Sequence, residues 1–310
     1  MLEMVEKNVL LGKMTSDNSQ IQFQRCFQRP FISPMNDTFF VDSVTTADVV
    51  EYGGGKYVFF AGMSEGHERI GLALLNINSK SEKDWRFEAP KMVVDENLGL
   101  NHEIAHVADP AAVIVNNTLF LYFSAISKRG DSIFLSRSND WENYNSYFGN
   151  PILPGRSPEI VFYNNVFYLF YVLPNKKGGY SIYLATSTDG LRFAIQSQPV
   201  LYPSIDSWDS LTITTPRIIK ENDYFFMIYA GDDVAKDDPK HFGLAYSKDL
   251  INWKKYEHNP VFSRGPQTSW DDWAIWFGTL FRQKGSLYLL YEGSSYSNPK
   301  KSQIGLALLD

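Results

Sequence analysis

The chain has 310 residues, 44% of them hydrophobic and 15% aromatic, and carries a formal net charge of −6 at pH 7. That is ample apolar material for a packed core, while the acidic balance argues against a nucleic-acid backbone as partner and no run of Lys or Arg suits an anionic membrane surface. The one cysteine, Cys26, allows no internal disulfide, which fits a reducing compartment. The acid-bearing start of the chain does not read as a secretory signal and no apolar run is long enough to cross a bilayer, so a cytoplasmic location is expected.

Residues 1–20 are polar apart from Val9-Leu10-Leu11 and read as a loose arm, with no convincing helix here or later. The segment Gln24 to Pro34 follows, with Pro30-Phe31-Ile32 at its centre. It has relatives at Ala89-Pro90-Lys91-Met92-Val93-Val94, Asn150-Pro151-Ile152-Leu153, Gln198-Pro199-Val200-Leu201 and Asn259-Pro260-Val261-Phe262. Between these segments one pattern occurs five times. When Ala47, Pro110, Pro158, Pro216 and Gly278 are laid over one another, apolar pairs follow each: Val49-Val50, Ala112-Val113, Ile160-Val161, Ile218-Ile219 and Leu280-Phe281. A tight turn such as Gly53-Gly54-Gly55 or Asn164-Asn165 leads to an aromatic return strand: Tyr57 to Phe60, Phe120 to Phe123, Tyr168 to Tyr171, Phe226 to Tyr229, Tyr288 to Tyr291.

A third strand follows in each copy, at Arg69 to Leu75, Ser132 to Arg137, Tyr180 to Thr186, Phe242 to Tyr246 and Gln303 to Leu309. Four short strands repeated five times, without helical periodicity, predict an all-β, five-bladed β-propeller of four-stranded antiparallel blades. The last copy ends after three strands, so the opening segment is expected to supply its fourth and close the ring. The whole chain, 1–310, then forms one propeller domain.

The polar residues concentrate beside the aligned positions. One residue after them stand Asp48, Ala111, Glu159, Arg217 and Thr279; one residue before stand Thr46, Asp109, Ser157, Thr215 and Phe277. Strand side chains alternate, so the two columns are expected on one face, with Asp48, Asp109, Glu159 and Arg217 all pointing at the axis. A lone Asp at a strand start more often caps a turn than catalyses. It is the convergence of four charges that argues for function, because facing buried charges raise the folding free energy.

Carboxylates around one pocket suit glycoside hydrolysis, in which one carboxylic acid protonates the leaving oxygen and a carboxylate activates water. Arg217 would hold the carboxylates ionised or bind an acidic group. Trp273 and Trp276 are candidate sugar-stacking walls, whereas Trp208 and Trp270, each before an Asp at the same place in its copy, read as repeat-structural. His106, three residues before Asp109, and His67, in a hairpin loop, are candidate ligand contacts. His102 and His106 stand four apart, but their flanks read as loop and strand, so no metal site is read there and no cofactor is expected.

These repeats resemble the five-bladed β-propeller glycosidases of families 43, 32, 117 and 130. Ala108-Asp109-Pro110 is similar to the second-blade Asp-Pro of family 43, which implies that Asp109 modulates the acid's pKa. Thr46 stands where that family's base is expected, with Asp48 two residues on; Arg156 stands where its acid is expected, with Glu159 after the proline. Pro158-Glu159 is more like family 130, although Phe59-Phe60-Ala61-Gly62 lacks the arginine that a phosphate site of that kind needs. The shared face of the charged residues leads to the expectation of an inverting glycoside hydrolase acting on a carbohydrate, with Asp48 as base, Glu159 as acid, Asp109 as modulator, and Arg217, Arg156, Thr279, His106 and His67 binding substrate. Alternatives are a phosphorylase, with Arg217 or Arg156 on phosphate, and a non-catalytic sugar-binding propeller. Some relatives hold a metal ion such as calcium in the channel.

Overall fold

The computed structural model describes residues 9–15, 20–77, 79, 81–97 and 103–310. Five antiparallel sheets stand round an axis, and neighbouring innermost strands touch all the way round. The innermost strands are Ser43–Tyr52, Ile104–Val115, Arg156–Tyr163, Thr212–Glu221 and Ala274–Gln283, in blades one to five. The aromatic returns form the second strands, packed on both faces. Their side chains build five wedge-shaped cores between successive blades, so the propeller has no single centre of packing.

The hairpin turns follow from their residues. Asn164 and Asn165 adopt φ of 49° and 61°, and Asn116 and Asn117 adopt 49° and 62°, the paired left-handed conformation that matches strand twist and that Asn tolerates. Trp208 stacks on Tyr229 and Trp270 on Tyr291, with centroids 5.9 and 5.6 Å apart. A Cβ at Gly243 or Gly305 would collide with the tyrosine beside it, which explains the glycine in both third strands.

In blades two and four an Asn-Pro splits the outer strand. In blade two, Asn145–Ser146 and Leu153–Pro154 pair separately with the third strand, as do Lys254–Lys255 and Phe262–Ser263 in blade four. Across each gap an Asn amide takes the place of a missing peptide. Asn150 accepts from the Leu135 N–H at 2.8 Å and donates to its carbonyl at 2.9 Å, and Asn259 does the same with Leu244 at the same distances. The ladder groups stay satisfied although a proline follows.

Blade five takes its fourth strand from the start of the chain. Phe23–Arg25 pairs with Leu309 to Ala307, and Ile32 bridges Ile304 further along. The regular pairing therefore begins a few residues before Pro30-Phe31-Ile32. Arg25 locks the closure, its Nη2 lying 2.7 Å from Asp271, which is 0% exposed, and its guanidinium 4.5 Å from the Phe262 ring centre. Lys255 bonds Asp209 at the matching place in blade four.

One expectation fails in the N-terminal arm. Residues Val9–Thr15 form a short helix, whose Leu10 is buried against blades four and five and whose Leu10 N–H donates to Glu221 at 3.1 Å. With one apolar face of two turns, the segment carried too little periodicity to be read as helical. The other residues expected in the arm, 1–8 and 16–19, lie outside the described residues, as does His102. Among the described residues no helix is long and apolar enough to cross a membrane.

Candidate active site

All five innermost strands carry a one-residue β-bulge at the same place, where register shifts between Thr45 and Ala47, Ala108 and Ala111, Arg156 and Glu159, Thr214 and Arg217, and Trp276 and Thr279. The extra residue in each is Thr46, Asp109, Ser157, Thr215 or Phe277, with φ of 39°, 54°, 51°, 49° and 45°. Left-handed backbone at such residues costs about 1–3 kcal/mol each and concentrates at functional sites. All five line one cavity of about 260 Å³ on the axis.

The bulge corrects the sequence-based geometry. An inserted residue breaks the alternation of faces, so the columns before and after the aligned position do not look the same way. The earlier column faces the cavity; the later one packs into the channel. Asp48, Glu159, Arg217 and Thr279 are 8%, 6%, 2% and 5% exposed, and none lines the cavity. Each ties one blade to others. Asp48 accepts from the Ala112 N–H at 2.8 Å and Glu159 from the Ile218 N–H at 2.8 Å, while the Thr279 hydroxyl donates to the Ala47 carbonyl. Arg217 donates to the carbonyls of Pro158, Pro216 and Pro110 at 2.8, 3.1 and 2.9 Å. Burial pushes both channel carboxyls up, and the Arg217 charge opposes it. That guanidinium fills the channel with a cation already bonded to three carbonyls, so the residues there do not fit a calcium ion.

The cavity has its own carboxylates. Asp109 is at the centre, as the sequence suggested. The hydroxyls of Ser124, Ser157 and Thr46 donate to it at 2.7, 3.3 and 3.4 Å and fix its orientation. Glu68, Glu292, Asp131 and Asp237 join it in the lining. Burial and the nearby Asp109 charge push Glu68 up to about 7, against the Thr45 hydroxyl. Burial also pushes Glu292 up to about 8; the Ser302 hydroxyl and the Thr46 N–H hold it back, and the charges of Glu68 and Asp109 add to the rise. Two carboxyls titrating near neutrality beside a third is the arrangement from which acid and base roles are built.

On the opposite side Arg156 pairs with Asp237 and lies 4.5 Å over the Tyr180 ring, and Arg156 Nε and Asp237 Oδ1 are buried without a partner. Trp276 forms part of the wall, its Nε1 donating to the Asp237 carbonyl at 3.0 Å. Trp273 is not in the lining but stands edge-on to Trp276, centroids 5.7 Å apart. His106 and His67 are not in the lining either. His106 accepts the Glu68 N–H at 3.2 Å and so positions that residue; His67 bonds the Ala105 carbonyl at 2.9 Å.

The residues missed in the sequence had a signal. Ala61, Ser124, Val172, Ala230 and Glu292 pair with equivalent innermost positions, so Ser124 and Glu292 are polar outliers in an apolar column. Glu68 and Asp131 are also equivalent, each two residues before a buried Ile of the third strand and paired with Met63 and Ile126.

By fold, the chain is a glycosidase-like β-propeller of five blades. Residues 142–269 match glycoside hydrolase family 130, described as beta-1,4-mannooligosaccharide phosphorylase. Among solved structures it is similar to a glycosyl hydrolase from Bacteroides ovatus, with a TM-score of 0.72 and 14% identity over 96% of this chain and 95% of that one. A beta-1,2-mannobiose phosphorylase from Listeria innocua gives a TM-score of 0.68 and 16% identity over 93% and 96% of the two chains. A thermostable family-43 glycoside hydrolase gives 0.66 and 17% over 89% and 92%. No curated protein matches by sequence. These matches show that the chain shares the propeller fold of those proteins.

Proposed function

We propose that the protein is a glycoside hydrolase acting at the Asp109 cavity, with Glu68 as general acid and Asp109 as the carboxylate that activates water. The observation that carries this reading is the clustering of Glu68, Asp109 and Glu292 in one cavity, with Glu68 held near neutrality. A carboxylic acid protonated close to pH 7 donates to a leaving glycosidic oxygen, and a neighbouring carboxylate accepts the proton from water. Burial and the Asp109 charge keep Glu68 protonated. Trp276 offers an apolar face to the sugar ring, and the partly exposed Arg156 and Asp237 side chains line the cavity with it.

Hydrolysis is preferred to phosphorolysis on charge. Among the described residues lining the cavity Arg156 is the one cation, and it is paired with Asp237, so a phosphate would meet five carboxyl groups. The test is turnover of 4-nitrophenyl glycosides and of β-1,4-mannooligosaccharides, with and without inorganic phosphate. Expected are phosphate-independent release of free sugar and a loss of about a hundredfold or more in Glu68→Gln and Asp109→Asn. Phosphate-dependent release of a sugar phosphate would replace this reading with the phosphorylase, and sugar binding without turnover would replace it with a binding propeller.

A further inference from the structure

A second cavity, of about 590 Å³, opens on the same end of the propeller, between Arg264, Gln267, Thr268, Asp272 and Tyr296. Its two walls are the segment leading into the innermost strand of blade five and the hairpin joining that blade's second and third strands. Innermost strands begin, and second strands end, at the end where Asp109 lies, so both cavities face the same solvent. Tyr296 is 60% exposed, yet it is held rather than loose. The Arg264 guanidinium lies 5.4 Å from its ring centre and donates to its hydroxyl at 2.9 Å. The two walls are clamped by Asp272, which accepts from the Thr268 N–H at 2.7 Å and the Tyr296 N–H at 2.9 Å.

Aromatic residues join this cavity to the central one. Arg264 also donates to the Trp273 carbonyl at 2.8 Å, and Trp273 stands edge-on to Trp276 in the central wall. An exposed aromatic ring fixed in place, among amide, hydroxyl and guanidinium groups, suits a pyranose ring: the ring face packs on apolar C–H groups while the polar atoms take the hydroxyls. The cost of ordering Tyr296 is met in the free protein, so a bound sugar does not bear it.

We propose that the Arg264–Tyr296 cavity is a distal sugar subsite, so that the substrate is an oligosaccharide of three or more units running outward from the Asp109 cavity over blade five. The proposal rests on the glycosidase reading for the direction of the chain, but the subsite is tested by binding alone.

The experiment is a glycan array carrying neutral oligosaccharides of one to six units, probed with the wild-type protein, Tyr296→Ala and Tyr296→Phe. Turnover of 4-nitrophenyl monosaccharides is measured in parallel. Expected is wild-type retention on at least one glycan of three or more units, a loss of about tenfold or more in Tyr296→Ala, and a change of less than about threefold in Tyr296→Phe, which keeps the ring. Monosaccharide turnover stays at the wild-type level, since Tyr296 is outside the Asp109 cavity. Equal retention by wild type and Tyr296→Ala, or no retention of any glycan of three or more units, overturns the subsite. Tyr296-dependent retention without turnover of any substrate leaves the subsite in place and overturns the hydrolase reading.

Discussion

Asp48, Glu159 and Arg217 put two buried carboxyls and one cation in the channel, and the protein's stability should depend on them jointly. Arg217 Nη1 lies 3.5 Å from Glu159 Oε2, and the Arg217 charge also acts on Asp48. At an effective dielectric constant of about 20, a pair at that separation attracts by roughly 5 kcal/mol, much of it offset by dehydration. Two carboxyls face one cation, so either alone can balance it. Glu159→Gln or Asp48→Asn should each cost about 1 kcal/mol. The double variant leaves Arg217 buried with only dipoles around it and should cost about 3–5 kcal/mol. The coupling is then about 1–3 kcal/mol beyond additivity. Urea unfolding followed by the fluorescence of the seven tryptophans measures it. Turnover per folded molecule should stay within a few-fold in both single variants, because neither residue lines the cavity. Additive losses, within about 0.5 kcal/mol, would refute the shared-charge argument. An inactive single variant of unchanged stability would return Asp48 or Glu159 to the chemistry.

Four more outcomes are expected. As general acid, Glu68 must be protonated, so kcat/KM should fall as pH rises through about 7, and a profile flat from pH 6 to 8 would contradict its role. Glu292 is raised from 4.5 to about 8, so the folded state binds its proton more tightly than the unfolded chain; that stability is complete below about 4.5 and is lost as pH rises to about 8. The melting temperature should therefore decline across that window, less so in Glu292→Gln. Arg25→Leu should destabilise by about 3 kcal/mol, the low end for a broken buried pair, because Tyr291 and Ser269 still donate to Asp271 at 2.9 and 3.0 Å; a urea midpoint like that of the wild type would show that the N-terminal strand does not secure the ring. Asn259→Ala removes two ladder bonds to Leu244 and should cost about 2–3 kcal/mol, read by the same unfolding, whereas Asn259→Asp should recover part of it through the acceptor alone.

The sequence was sufficient for the blade count, the strand order and the closure, because each blade reports itself locally. An apolar pair, an Asn-Asn or Gly-Gly turn and an aromatic return are contiguous residues whose packing repeats with the chain. Asp109 was legible for the same reason, as a polar residue beside a proline on a strand. The level of Asp48 and Glu159 along the axis was not, since one extra residue in each innermost strand puts them in the channel and not in the cavity lining. The prolines at 110, 158 and 216 hinted at it, being residues that a regular ladder excludes. Glu68, Asp131, Asp237 and Glu292 come from second strands, third strands and a hairpin of four different blades, and only closure of the ring brings them to Asp109. Local pattern fixes strands; which charges share a cavity is set by how five blades meet, and that depends on contacts between residues far apart in the chain.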